Sequence, residues 1–256
     1  MKPLLIIFCL ALSLQSCMDC NSEQGQTPPL NSSYLDSLYK YALLDAAVIE
    51  EDENYQLRTI SKSNKDLVFR KMGDKEYIKV VTWLPSHITK IYKNAKENYD
   101  GKLVPKSGIT LWFTLFPYFQ NYCQAQSFRN NDALLLRMKQ KLGLPYGRTY
   151  QWIAELWVPV EAIKRPCPDP STDNERCFTQ PDIPLDVKYH KWYFEQRALA
   201  SVEVEEPFPF TGLGYTYDWG LKAPEFGFTE FVFQGDGEEE VFVDGLYRFE
   251  EYCEGN

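Results

Sequence analysis

Two hydrophobic periods alternate along the chain. In residues 34–49, YLDSLYKYALLDAAVI, Leu35, Leu38, Ala42 and Ala46 share one face at helical spacing. Ser33 and Asp36 form an approximate capping box ahead of that face. Short strands are expected at 55–60, 66–71 and 76–83. The last of these, in EYIKVVTWL, is rich in β-branched and aromatic residues. Ile88, Ile91, Tyr92, Ala95 and Tyr99 return to helical spacing before Asp100-Gly101. GITLWFTLF (108–116) reads as a buried strand stopped by Pro117. Asn131 is placed to cap a helix with Leu135, Met138 and Leu142 on one face, ended by Gly143 and Pro145. YQWIAELWV (150–158) reads as a strand and VKYHKWYFEQRALA (187–200) as a helix.

Beyond residue 200 the pattern becomes a β-meander. FTEFVF and EEVFV flank Asp236-Gly237, a hairpin signal, and Asp244-Gly245 predicts a turn into LYRFEEY. No internal repeat and no regular βαβ alternation occurs. The expected class is α+β: one domain with a mixed or antiparallel sheet, a C-terminal β-meander and several flanking helices.

The N-terminus changes the picture of where the protein acts. MKPLLIIFCLALSLQSC has one basic residue, Lys2, and an apolar run from Leu4 to Leu14. A bilayer span takes about 20 apolar residues, so the run is too short to cross and fits a secretory signal peptide over residues 1–16. Leu14-Gln15-Ser16-Cys17 resembles a bacterial lipobox, with Gln15 where that motif prefers a small residue. The resemblance implies lipidation of Cys17. Cys17 and Cys20 also form a CxxC, but no second CxxC and no βαβ context accompany it. Cleavage before Cys20 would put Asp19 at the cut, which disfavours that site. Residues 17–33 then read as a lipid-anchored flexible tether, with NSEQGQTPPLNSS polar and rich in Pro and Ser, and 34–256 as the globular domain. The expected location is the cell envelope, facing periplasm or exterior, with the membrane as partner through the anchor. The 256-residue chain carries a net charge of -9. An acidic surface repels phosphate backbones, so nucleic acid is not an expected partner.

Export permits disulfides among Cys123, Cys167, Cys177 and Cys253. Cys167–Cys177 is the favoured pair because it would staple the proline-containing loop CPDPSTDNERC. Cys123 either stays a buried thiol or reaches Cys253. The loop carries Asp169, Ser171, Asp173 and Glu175 at alternate positions, like half a calcium loop, but the required glycine and distal acid are missing. The two histidines, His87 and His190, have no metal-ligand spacing around them. No Walker loop, dinucleotide fingerprint or G-x-S-x-G elbow is present, so neither metal nor cofactor is expected and no catalytic residue is assigned. Glu155 and Glu230 lie among aromatics. They read as outward-facing strand positions or as carboxylates held by a cation, with Arg137, Arg148, Arg165 and Arg197 as candidates. A pair of carboxyls about 5–10 Å apart could hydrolyse a glycosidic bond.

The segment LGYTYDWG (213–220) concentrates rings and glycines. If extended, it places Leu213, Tyr215, Tyr217 and Trp219 on one side and Gly214, Thr216, Asp218 and Gly220 on the other. Small residues on one face predict a close neighbour there. The rings belong either to the core or to a ligand platform. In the second case Tyr215, Tyr217, Asp218 and Trp219 are the ligand-binding residues.

LGLP (142–145), RPCPDP (165–170) and GLGYTYDWG (212–220), in that order, resemble a group of uncharacterised bacterial proteins over roughly residues 108–235. The resemblance implies a bacterial source and supplies no activity. The leading expectation is an envelope lipoprotein that binds an extracytoplasmic ligand, with a glycan, cell-wall fragment or small molecule as candidate. An envelope hydrolase using Asp or Glu, or a structural or assembly lipoprotein, are the alternatives.

Overall fold

A central strand, β2 (Lys75–Pro85), organises the sheet of the computed structural model. The structure describes residues 31–50, 53, 56–128, 130–180, 186–201, 207–220 and 224–254. The signal segment, Cys17 and Cys20 lie outside these residues. On one side β2 pairs with β5 (Tyr150–Pro159), from Tyr77↔Pro159 to Pro85↔Tyr150. On its other side it serves two partners in turn. Its first half pairs with β1 (Phe69–Met72) and its second half with β4 (Thr110–Leu115), through Val80↔Leu115 and Val81↔Thr114. The sheet continues past β4 to β9 (Phe231–Gln234) and β6 (Ile163–Lys164). Beyond β5 it runs to β10 (Val241–Arg248) and β3 (Lys102–Leu103). Every ladder is antiparallel. A small second sheet joins β7 (Tyr215–Tyr217) to β8 (Phe226–Thr229). The fold is α+β in a single body.

Side-chain alternation explains why these segments are strands. Ile78, Val80 and Leu84 of β2 enter one apolar cluster with Ala154, Leu156 and Val158 of β5. Val81 and Trp83 enter another with Ile153. The first cluster is covered by α2 (Thr89–Asn98), which contributes Tyr92 and Ala95. The second gathers residues from α3 (Tyr118–Gln124), α4 (Asn131–Lys141) and α6 (Phe249–Glu254). Two further helices are α1 (Ser32–Asp45) and α5 (Val187–Ser201).

Several expectations shift. The caps of α1 and α4 are Asn31 and Asn130, each one or two residues earlier than read. Their side chains accept from Ser33 N and Ala133 N. Residues 56–60 are not a strand. Asp236-Gly237 does not close a hairpin: β9 pairs with β4 and β6, whereas β10 pairs with β5 and β3. Asp236 still makes a tight turn, accepting from Glu238 N and Glu239 N, but the two strands leave it for different parts of the sheet. Asp244-Gly245 is not a turn. It is a bulge inside β10, where Lys96 Nζ donates to the Asp244 carbonyl.

Cys167 and Cys177 form a disulfide-compatible pair, with Cα atoms 5.9 Å apart. Cys123 and Cys253 form a second, 5.3 Å apart, joining α3 to α6. The stapled loop is held from inside by Arg165, which is fully buried. Its Nε donates to the Ser171 carbonyl, and its Nη2 faces the carbonyls of Asn174 (2.9 Å), Arg58 (3.1 Å) and Thr172 (3.3 Å). Asp169 ties the same loop by accepting from Ser171 N and Asn174 Nδ2. Its oxygens are spent on that turn. Among the described residues no group of three or more His, Cys, Asp or Glu is placed to hold a metal ion.

Gly214 lets Arg165 in. A Cβ there would lie 2.6 Å from the Arg165 Cγ and Cδ, and the glycine has φ +83°. Gly214→Ala therefore combines a collision with backbone strain. It should cost about 3 kcal/mol, whereas Gly147→Ala, with open space around it, should stay within about 0.5 kcal/mol. Urea unfolding of the two variants measures the difference.

Candidate functional site

The LGYTYDWG segment lies between α1, α4 and the stapled loop, and the structure gives its side chains partners inside the protein. Tyr215, Tyr217, Asp218 and Trp219 are all buried. Tyr217 and Trp219 join Leu35, Tyr39 and Ala42 of α1 in one cluster; Leu213 and Tyr215 join Leu57 and the Cys167–Cys177 pair in another. The Tyr217 hydroxyl donates to Asp45 (2.7 Å), and Trp219 Nε1 donates to the Leu144 carbonyl (3.1 Å). The Trp219 ring meets Tyr39 edge-on at 5.4 Å. Asp218 receives both arms of Arg137, at 2.7 and 2.6 Å, with the Lys141 ammonium at 3.5 Å. These four residues, expected as ligand contacts, line neither cavity described below. Only the intervening Thr216 does.

The three motifs behind the family resemblance meet each other. RPCPDP supplies Arg165, which fills the space at Gly214. In LGLP, Gly143 sits where a Cβ would be 3.2 Å from the Tyr217 carbonyl, and Leu144 receives the Trp219 indole. Their residues are built around mutual packing.

Glu155 does not point outward, and Glu230 is half-buried. Glu155 is buried and bonded to Lys79 Nζ (3.1 Å) and the Tyr252 hydroxyl (2.9 Å). Lys79, not one of the four arginines, is its cation. Of those arginines, Arg137 serves Asp218, while Arg165 and Arg197 serve main-chain carbonyls. His87 is exposed. The His190 ring lies between the carbonyls of Asp186 (2.8 Å) and Pro168 (3.0 Å), tying α5 to the stapled loop.

Glu230 is different. It is the single residue between β8 and β9, and its main-chain N donates to the Gly214 carbonyl. Its side chain lines a cavity of about 100 Å³ with Thr82, Trp83, Trp112, Phe113, Thr114, Phe119 and Thr216 among the other walls. No hydrogen bond or ion pair reaches the carboxyl from any described residue. Enclosure by protein pushes it up from 4.5 to about 8, and no neighbouring charge contributes. This half-buried carboxyl holds its proton to higher pH than a free one.

Thr114 also lines a second, larger space of about 990 Å³. This cleft is walled by residues 56–59, Asn64, α3 and the β8 strand. Tyr122 and Phe228 meet edge-to-face at 5.4 Å on its wall, and Phe228 stacks on Phe119 of the small pocket at 5.9 Å. Around these rings stand Thr59, Asn64, Asn121, Thr229, Arg58 and Lys141. The Arg58 guanidinium covers Tyr118 at 3.6 Å. Asn64 Nδ2 donates to the Tyr118 hydroxyl at 2.9 Å. Lys141 donates to the Phe226 carbonyl (2.6 Å); burial lowers its ammonium, with Arg137 adding to the fall and Asp218 opposing it. Aromatic faces among amides and hydroxyls can bind a flat polar ligand such as a sugar ring. No family model matches this chain, and comparison with curated proteins and with solved structures finds no similar one.

Sequence reading missed that Glu230 lines a pocket because alternation in FTEFVF predicts only an outward position. The signal available was a lone acid flanked by phenylalanines on both sides.

Two measurements follow from these environments. The folded chain keeps the Glu230 proton above pH 4.5 while the unfolded chain sheds it. Stability should therefore fall as pH rises from about 4.5 to about 8, by up to about 1.4 kcal/mol per pH unit, and level off on either side. Glu225, raised to about 7 by burial and the nearby Asp45 and Glu53, adds in the same direction. Glu230→Gln should remove the Glu230 share, so that its urea midpoint exceeds the parent's at pH 9 and matches it at pH 4. Asp218→Asn should do the opposite at neutral pH. It strands Arg137 and Lys141 and should cost about 3 kcal/mol, as read from the same midpoints.

Proposed function

We propose that this chain is an envelope lipoprotein that binds a glycan or cell-wall fragment in the cleft beside β8. The observation that carries this reading is the half-buried Tyr122 ring, backed edge-to-face by buried Phe228, on a cleft wall that also holds Asn64, Asn121, Thr59 and Thr229. Rings offer apolar faces to the C–H side of a pyranose, and amides and hydroxyls meet its hydroxyl groups. The cleft is open and large enough for more than one sugar unit. Paired carboxyls for glycoside hydrolysis are not found together: among the described residues Glu230 is the one acid on the small pocket, and Glu155 is engaged by Lys79 and Tyr252. The lipid anchor at Cys17 and the envelope location rest on Leu14-Gln15-Ser16-Cys17.

Calorimetric titration with soluble peptidoglycan fragments and chito-oligosaccharides should give saturable binding. Asn121→Ala, at an exposed position on the cleft wall, and Tyr122→Ala should each weaken it about tenfold, the worth of one lost stacking or polar contact. Unchanged affinity in both variants would place the ligand elsewhere. Mass spectrometry of the mature protein should find a diacylglyceryl group on Cys17, and a mature N-terminus at another residue would remove the anchor from the proposal.

A further inference from the structure

We propose that the cavity holding Glu230 is a subsite for an uncharged acetamido group, so that the ligand of the adjoining cleft is a 2-acetamido sugar. This rests on the reading of the cleft as the ligand site and adds what that site selects.

Size comes first. A cavity of about 150 Å³ takes a benzene molecule, six heavy atoms. The Glu230 cavity, at about 100 Å³, then suits about four. A sugar ring does not fit, but a small substituent does. The walls come next. Trp112, Phe113 and Phe119 are apolar, and a methyl group can sit among them. Among the described residues, the only ionisable side chain on the wall is Glu230. The rest of the wall comes from β2 (Val81, Thr82, Trp83), Thr114 of β4, the turn after α4 and Thr216 of β7, none of which titrates near neutral pH.

Charge decides among small groups. Glu230 is half-buried on this pocket, and no cation or N–H of a described residue is aimed at its carboxyl, so burial favours the acid form. Its O–H is a donor that no described residue accepts. An amide carbonyl is a strong uncharged acceptor, and it can take that hydrogen bond without moving a proton. A carboxylate-bearing substituent would bring a second desolvated acid. An ammonium group would need Glu230 to ionise first. Position completes the argument. Thr114 lines both cavity and cleft, and stacked Phe119 and Phe228 run from one to the other. A ring lying on half-buried Tyr122, which buried Phe228 backs, can therefore send a short substituent past Thr114 to the acid.

The test uses the mature chain without its lipid and two trisaccharides. One is chitotriose, which carries acetamido groups; the other is cellotriose, which has hydroxyls instead. At pH 6 chitotriose should bind at least tenfold tighter. Between pH 6 and pH 9 its affinity should fall about tenfold, because roughly one Glu230 in ten remains protonated one unit above a value of about 8. Glu230→Gln keeps an N–H donor in place. It should hold affinity within threefold of the parent at pH 6 and lose the pH dependence, whereas Glu230→Leu should bind at least tenfold more weakly. Thermal melts of both variants confirm folding. Equal binding of the two trisaccharides would overturn the acetamido subsite and leave the cleft reading standing. Tetramethylammonium binding that strengthens with pH and vanishes in Glu230→Gln would make the cavity a cation cage and overturn the proposal. Failure of both trisaccharides to bind would overturn the subsite and the glycan reading together.

Discussion

A guanidinium sealed from water holds the half of the molecule that the rest leans on. Among the described residues no carboxylate is hydrogen-bonded to Arg165; its Nε and Nη2 donate to carbonyls at residues 58, 171, 172 and 174, while Nη1 is buried without a partner. Burial lowers it to about 10, with Asp169 and Asp173 opposing that fall from a distance. A charge in such a place is tolerated only because backbone oxygens surround it. Those oxygens belong to the stapled loop and to the stretch after residue 55, neither of which has a ladder to fix it. The arginine supplies what a sheet would supply: convergent partners for main-chain groups. Around it sit Gly214, the Cys167–Cys177 pair and the Phe231 ring at 5.3 Å. Tyr189 of α5 donates to the carbonyls of Arg165 and Cys167, so the helix is fastened to the same centre.

Two acids, one buried and one half-buried, show how environment assigns roles. Asp218 has two cations and a main-chain N–H, and it works as a charged anchor between α4 and the LGYTYDWG segment. Glu230 has none of these and stays an uncharged acid on a cavity wall. They are twelve residues apart in the chain and chemically opposite. One stabilises by being ionised; the other is compatible with its surroundings only while it is not.

Local signals in the sequence were legible where the physics is local. Helical spacing located α1, α2, α4 and α5, and β-branched, aromatic runs located β2, β4 and β5. The caps slipped by a residue or two because neighbouring Asn and Ser compete for the same role at 31–33 and 130–131. Partner choice was not legible. Asp236-Gly237 carries the residues of a hairpin, yet long-range pairing with β4 and β5 separates the strands it joins. Burial of acids was equally hidden, since FTEFVF looks the same whether Glu230 faces water or a cavity. The alternation of rings and small residues in LGYTYDWG did point to a close neighbour on the small face. What it could not say was that the neighbour is the side chain of Arg165, or that Asp218 already has its cations. Helix α3 escaped notice because its seven residues are too few to display a period.

The connection between β8 and β9 is one residue long, and that residue is Glu230. Strand β8 belongs to the small sheet and β9 to the large one, so the acid is the joint between two mechanical plates. With no slack on either side, a displacement of one plate against the other must be taken up at this residue's backbone. A guest wedged against the acid would act as a spacer and stiffen the joint. Occupancy of a space a few atoms wide would thus be carried through β9 into the middle of the large sheet, and through β8 to the Asp218 anchor.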